Sequence, residues 1–314
     1  MANHHRARVT LTFGGLFTIV AAITFNSLSG YGTKSGVFQQ TTEDVTVKYT
    51  TAITPAQWVF FVWDVLHVWI FAMFMYFLAG LCRRSAYEWM YTTPAVLPYG
   101  FHVSIILNIC LNIAWLFLYD RELFLPVLII SALMTLSGYV ILFFSCQGLK
   151  IYGAWLNKNH KADLWFFRIL VQNGIAAYAT WGNLSTFLNL TIYLQHETET
   201  SRCDCAMLSL LLLLMELLAW FLLENFYLDK HVRYIVTIYP VVILWLAGIL
   251  CNSQSSESSY MYIFTASILA ISSVAFLVRI ALVTWKHVTR PIYDACGPSM
   301  SPIELAVMQR KIFL

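Results

Sequence analysis

Charge is what this sequence has least of. Asp, Glu, Lys and Arg make up only 11% of its 314 residues, against 59% hydrophobic. A soluble domain draws about a quarter of its residues from those four types, so a mainly water-facing surface is excluded. Dense Lys/Arg runs and acidic tails are missing and the net charge is only +3, which leaves no reason to expect a nucleic-acid partner. The signatures of common enzyme classes are missing too: no nucleophile elbow, phosphate loop or H-E-x-x-H appears. No catalytic or metal-ligating residue is assigned, and the chain is read as a non-enzyme. Intramembrane carboxylates are the one opening for porphyrin- or lipid-modifying chemistry. Seven cysteines are scattered. Cys203 and Cys205 form a lone C-x-C, for which a structural disulfide, with Cys251 as a further partner, is expected ahead of a metal site.

What is present is a series of long apolar segments. About 20 apolar residues span about 30 Å of hydrocarbon, and eight segments qualify: 9–28, 55–81, 97–119, 123–146, 164–194, 206–226, 232–251 and 260–283. In lipid the backbone must satisfy its own hydrogen bonds, so these read as helices. The expected fold is an all-α, polytopic membrane protein in contact with the lipid bilayer. Lys and Arg divide 15 against 4 between alternate connectors. The richer side holds both termini, so these are expected in the cytoplasm. A plasma-membrane or endomembrane location is preferred over a mitochondrial one, because no Arg/Ser-rich transit segment is seen. The stretch 291–314, with Arg290-Pro291, Gly297-Pro298 and Ser301-Pro302, reads as a mobile cytoplasmic tail.

Ionisable residues inside apolar segments are expensive, so each carries a functional and a packing reading. Asp64 and His67 lie three apart, on one face near the middle of the second helix, and Glu216 lies at similar depth in the sixth. They mark a proton or ion pathway, or an internal hydrogen-bond network. Arg168 and Arg279 read as snorkelling anchors at helix ends. Asn108 and Asn112 share a face of the third helix, while Gln172, Asn173, Asn183 and Asn189 punctuate the fifth, where Gly174 and Gly182 permit a bend or a close approach. Trp58, Trp63, Trp69, Trp115 and Trp181 lie at several depths, as packing core or as walls of an apolar cavity.

Three segments resemble one family. Pro55-Ala-Gln-Trp58-Val59 followed by Val62-Trp63 and Leu66-His67 is similar to the P-x-x-W-V-x-x-x-V-W-x-x-L-Y signature of the translocator protein family, also called tryptophan-rich sensory proteins or peripheral benzodiazepine receptors. Leu111-Asn112-Ile-Ala114-Trp115 resembles its L-N-x-A-W. Tyr178-Ala-Thr-Trp181, then Thr186-Phe-Leu188-Asn189, resembles Y-x-x-W…T-x-L-N. The resemblance covers about residues 9–197. It implies a five-helix bundle over 1–197, with three further helices over 198–290 and the tail over 291–314.

It also implies a cavity among the first, second, third and fifth helices, roofed by the long first loop. Such a cavity takes a lipophilic, planar aromatic ligand, porphyrin- or sterol-like, with porphyrin or haem as ligand rather than resident cofactor. The residues so implicated are Trp58, Trp63, Asp64, His67, Asn112, Trp115, Tyr178, Trp181 and Asn189. The alternative is a channel or transporter using Asp64, His67 and Glu216. A homodimer is a further expectation. The sequence departs from the family pattern at His67, where the family has Tyr, and at Asp64. No basic residue follows Tyr193 until Arg202, so the sterol-recognition pattern fails there.

Overall fold

The computed structural model describes residues 6–85, 87–198, 200–252, 259–293 and 300–312. The Gly297-Pro298 pair of the tail lies outside them. Helices dominate: α1 (Arg6–Tyr31), α2 (Thr42–Lys48), α3 (Phe61–Cys82), α4 (Tyr99–Asp120), α5 (Phe124–Asn159), α6 (Lys161–Phe166), α7 (Gly174–Glu197), α8 (Arg202–Leu222), α9 (Asp229–Val232), α10 (Ile238–Asn252), α11 (Ser259–Thr289) and α12 (Pro302–Ile312). Among the described residues the only β pairing is an isolated bridge between Arg84 and Trp89.

Each of the eight apolar segments is mainly helical, although in 232–251 the helix starts only at Ile238. Six helical runs are long and apolar enough to cross a membrane: 6–35, 57–82, 99–120, 124–159, 202–227 and 259–289. The chain is therefore an integral, multi-pass membrane protein. Helix α10 is apolar but has 15 residues, about 23 Å of rise, short of the hydrocarbon thickness. The run 161–197 is long, but amides and glycines dilute its hydrophobicity.

That run owes its length to a π-helical segment, Phe167–Asn173, joining α6 to α7. Asn173 holds it against the chain entering α10. Its amide nitrogen donates to the carbonyls of Arg168 and Tyr234, and its side-chain oxygen accepts from the Val236 amide at 2.9 Å. A Cβ on Gly174 would sit 2.9 Å from the Trp69 indole, so this glycine permits a close approach.

The later helices dock on the earlier ones through α10. The Ala56 amide donates to the Gly248 carbonyl at 3.0 Å, and a Cβ on Gly248 would sit 2.2 Å from Val59 Cγ2. One hydrophobic core runs from Ile19 and Val59 through Trp181 to Trp245, Leu246 and Ile268.

Three expectations are corrected. Arg279 does not snorkel: it is fully buried, with Nε 3.3 Å from Glu224 and Nη2 donating to the carbonyls of Val232 and Arg233. Nor does Arg168, which is buried under the ring of Tyr234. A buried guanidinium surrounded by acceptors and rings costs less than its distance from water suggests. Finally, Cys203, Cys205 and Cys251 are free thiols. Cys203 and Cys205 occupy the first turn of α8, where residues two apart do not face each other. Within the stretch read as a tail, residues 302–312 form α12.

Candidate functional site

The centre of the site is a polar node on three helices. In α1 the Asn26 side-chain oxygen accepts from Trp63 Nε1 of α3 at 2.8 Å, and its amide nitrogen donates to Asn112 Oδ1 of α4 at 3.1 Å. The same nitrogen lies 3.4 Å from His67 Nε2, while His67 Nδ1 lies 2.9 Å from the Trp63 carbonyl. A carbonyl can only accept, so Nδ1 carries the proton and Nε2 accepts. Burial among apolar helices thus leaves His67 committed on both ring nitrogens. Asn26 was not identified from the sequence. Its signal was there, as a lone amide in an otherwise apolar first helix.

Around this node lies a cavity of about 440 Å³, bordered by α1, α3, α4, α5, α7 and the loop helix α2. Its lining includes Trp63, Asp64, Asn112, Trp115, Trp181 and Asn189, together with Asn26, Thr46, Gln57, Phe60 and Tyr119. Two aromatic stacks form its walls. Trp63 stacks on Tyr178 at 5.4 Å and on Trp181 at 6.1 Å, and Trp115 stacks on Tyr119 at 4.6 Å. Tyr178 supports Trp63 from behind without lining the cavity. Trp58 is half exposed and stands outside it.

Three donors on these walls have no hydrogen-bond partner among the described residues: Asn112 Nδ2, Trp115 Nε1 and Asn189 Nδ2. Asn112 and Asn189 are almost fully buried. Buried polar groups are nearly always paired, so three unpaired N–H groups around one cavity make it a place for acceptor oxygens.

The roof is tied to the turn between α4 and α5. The Gln39 and Gln40 amides donate to Asp120 Oδ1 at 2.8 and 3.0 Å. Glu122 sits in the left-handed region, at φ 57°. It accepts from Lys48 at 2.6 Å, Tyr49 at 2.6 Å and Gln40 at 3.0 Å. These three donors hold the Glu122 carboxyl down at about 2. Thr41 and Asp44 close a capping box on α2, which gives the roof its own fixed start.

Asp64 and His67 lie one turn apart on α3, while Glu216 lies elsewhere. Asp64 lies in the first turn of α3, at the cavity, rather than at mid-helix. His67 turns away into the Asn26 node. Glu216 accepts from Tyr139 at 2.6 Å and from Asn183, in a separate pocket of about 310 Å³ between α5, α7 and α8. Among the described residues no group of three or more His, Cys, Asp or Glu is placed to hold a metal ion.

Comparison with known proteins agrees with this architecture. No curated protein and no solved structure matches the chain. A family model described as TSPO-like protein matches residues 12–281, a span that takes in α8, α10 and most of α11 as well as the helices before them. The chain therefore belongs to the TSPO-like protein family.

Proposed function

We propose that the protein is a membrane-embedded binding or sensor protein for a lipophilic, planar aromatic ligand, porphyrin- or sterol-like, held in the cavity beneath α2. The observation that carries this reading is the coincidence of stacked aromatic walls with three unpartnered donors. A volume of about 440 Å³ falls within the roughly 300–1,000 Å³ of small-molecule sites. Trp63, Trp181 and Trp115 offer faces for stacking, supported by Tyr178 and Tyr119. Asn112, Asn189 and the Trp115 indole would orient a carbonyl, carboxylate or hydroxyl oxygen on the ligand. A haem would be bound by its ring and propionates rather than through His67, whose two nitrogens are already engaged. Binding, rather than turnover, is the expected activity.

A file of protons or ions through Asp64, His67 and Glu216 would need these groups within relay distance. Glu216 sits in a pocket apart from Asp64 and His67, which favours binding over conduction. We further read all eight helical segments as spanning, with both termini cytoplasmic, on the strength of the Lys/Arg asymmetry. Porphyrin titration of the purified protein, alongside Trp115→Phe and Asn189→Leu, tests the site. Each substitution removes one donor and should weaken binding about five- to tenfold; unchanged affinity in both would place the ligand elsewhere.

A further inference from the structure

At the Lys/Arg-rich end of the bundle, a second cleft of about 460 Å³ lies between α3, the π-helical segment, the chain entering α10, and α11. It shares no lining residue with the aromatic cavity. Its rim includes the half-exposed Ile169, so it opens toward the surroundings of the bundle rather than into its centre.

Two buried donors line this cleft. Arg168 is 5% exposed, with its guanidinium 3.7 Å from the centre of the Tyr234 ring and 4.8 Å from that of Trp165. The acids of this end are taken by other cations: Asp163 pairs with Arg83, Asp229 with Arg233 and Lys286, and Glu224 with Arg279. Among the described residues Arg168 therefore has no acid partner. Trp69 Nε1, on the same lining, is buried without a hydrogen-bond partner among the described residues.

Aromatic faces offset part of the cost of burying a guanidinium, yet they supply no counter-charge. Among the described residues around α9 and α11, Arg168, Arg233, Arg279 and Lys286 stand against Glu224 and Asp229. A planar guanidinium and an indole N–H lining one cleft with an apolar rim suit a phosphodiester carrying acyl chains.

We propose that this cleft binds the headgroup of an anionic phospholipid, its phosphodiester accepting from Arg168 and the Trp69 indole, its chains running out past Ile169. The site does not depend on the reading of the aromatic cavity.

The test is native mass spectrometry of the full-length protein in detergent, titrated with phosphatidylglycerol or phosphatidylcholine. One phosphatidylglycerol should be retained in preference to phosphatidylcholine. Arg168→Gln should weaken that binding about tenfold or more, while Arg6→Gln leaves it unchanged. Thr284→Phe offers a second route. The Thr284 hydroxyl donates to the Ile280 carbonyl of its own helix, and a ring there fills the cleft while leaving Arg168 in place. Loss of phosphatidylglycerol preference in Thr284→Phe supports the site even where Arg168→Gln fails to fold. Unchanged retention in Thr284→Phe overturns it, as does unchanged retention in a folded Arg168→Gln. Displacement of the lipid by glycerol phosphate at matched concentration also overturns the lipid assignment, in favour of a free-phosphate site.

Discussion

Trp63 of α3 donates its indole N–H to Asn26 of α1 at 2.8 Å, so the aromatic ring that walls the cavity is fixed by an amide one helix away. That same amide reaches Asn112 and His67. Wall, floor and first helix are one hydrogen-bonded unit, and ligand geometry should depend on a residue that need not touch the ligand.

Asn26→Leu should therefore lower both stability and affinity. It strands the Trp63 indole N–H and the Asn112 oxygen, at a cost of about 1–3 kcal/mol in all. A detergent melting curve and a ligand titration on the same preparation check this. A variant that melts and binds like the parent would mean that the node is not needed.

The roof gives a pH prediction. The Glu122 carboxyl, ordinarily near 4.5, is held down at about 2 by Lys48, Tyr49 and Gln40. Because the folded value is depressed, its contribution is fully present above about 4.5 and is lost as pH falls toward 2. Limited proteolysis of the 32–56 loop should accelerate over that window. Glu122→Gln should be cut faster at neutral pH and show a weaker pH response. A residual should remain from Asp44, which its Thr41 hydrogen bonds also depress.

At the opposite end, the pair of Glu224 and Arg279 is buried on both sides. Removing one partner leaves an uncompensated charge, so Arg279→Met should destabilise by about 3–5 kcal/mol. Adding Glu224→Gln should recover part of the loss. Melting temperatures of the two single variants and the double variant form the cycle that measures the coupling.

Gly248→Ala tests the docking of the later helices. The added methyl meets Val59 at 2.2 Å, and the strain should cost about 1–3 kcal/mol. Since Val59 precedes Trp63 by one turn, ligand affinity should fall with it. Normal stability in this variant would mean that α10 can shift away without consequence.

Much of this was legible in the sequence because lipid imposes a simple code. Eight long apolar segments each marked a mainly helical stretch, and Trp63, Asn112, Trp115, Trp181 and Asn189 fell in three family-like motifs that the fold brings to one cavity. Residues whose role depends on a partner in another helix were harder to read. Asn26 stood alone in α1 with nothing to show that three side chains converge on it. Asp120 and Glu122 looked like a tight turn because their partners, Gln39, Gln40 and Lys48, lie about 80 positions earlier. Arg168 and Arg279 sat where snorkelling residues sit, and only the π-helical segment and the fold of α9 reveal what surrounds them. Trp58 shared a motif with Trp63, yet a short 3₁₀ turn over Gln57–Phe60 leaves it pointing out.

The deciding measurement is Trp fluorescence quenching of the detergent-purified protein by a porphyrin, run beside the Trp63→Ala/Trp115→Ala double substitution. Saturable quenching in the parent, with affinity lowered at least about tenfold in the double variant, is the expected result. Quenching that saturates identically in both proteins, or in neither, would contradict ligand binding in the cavity beneath α2.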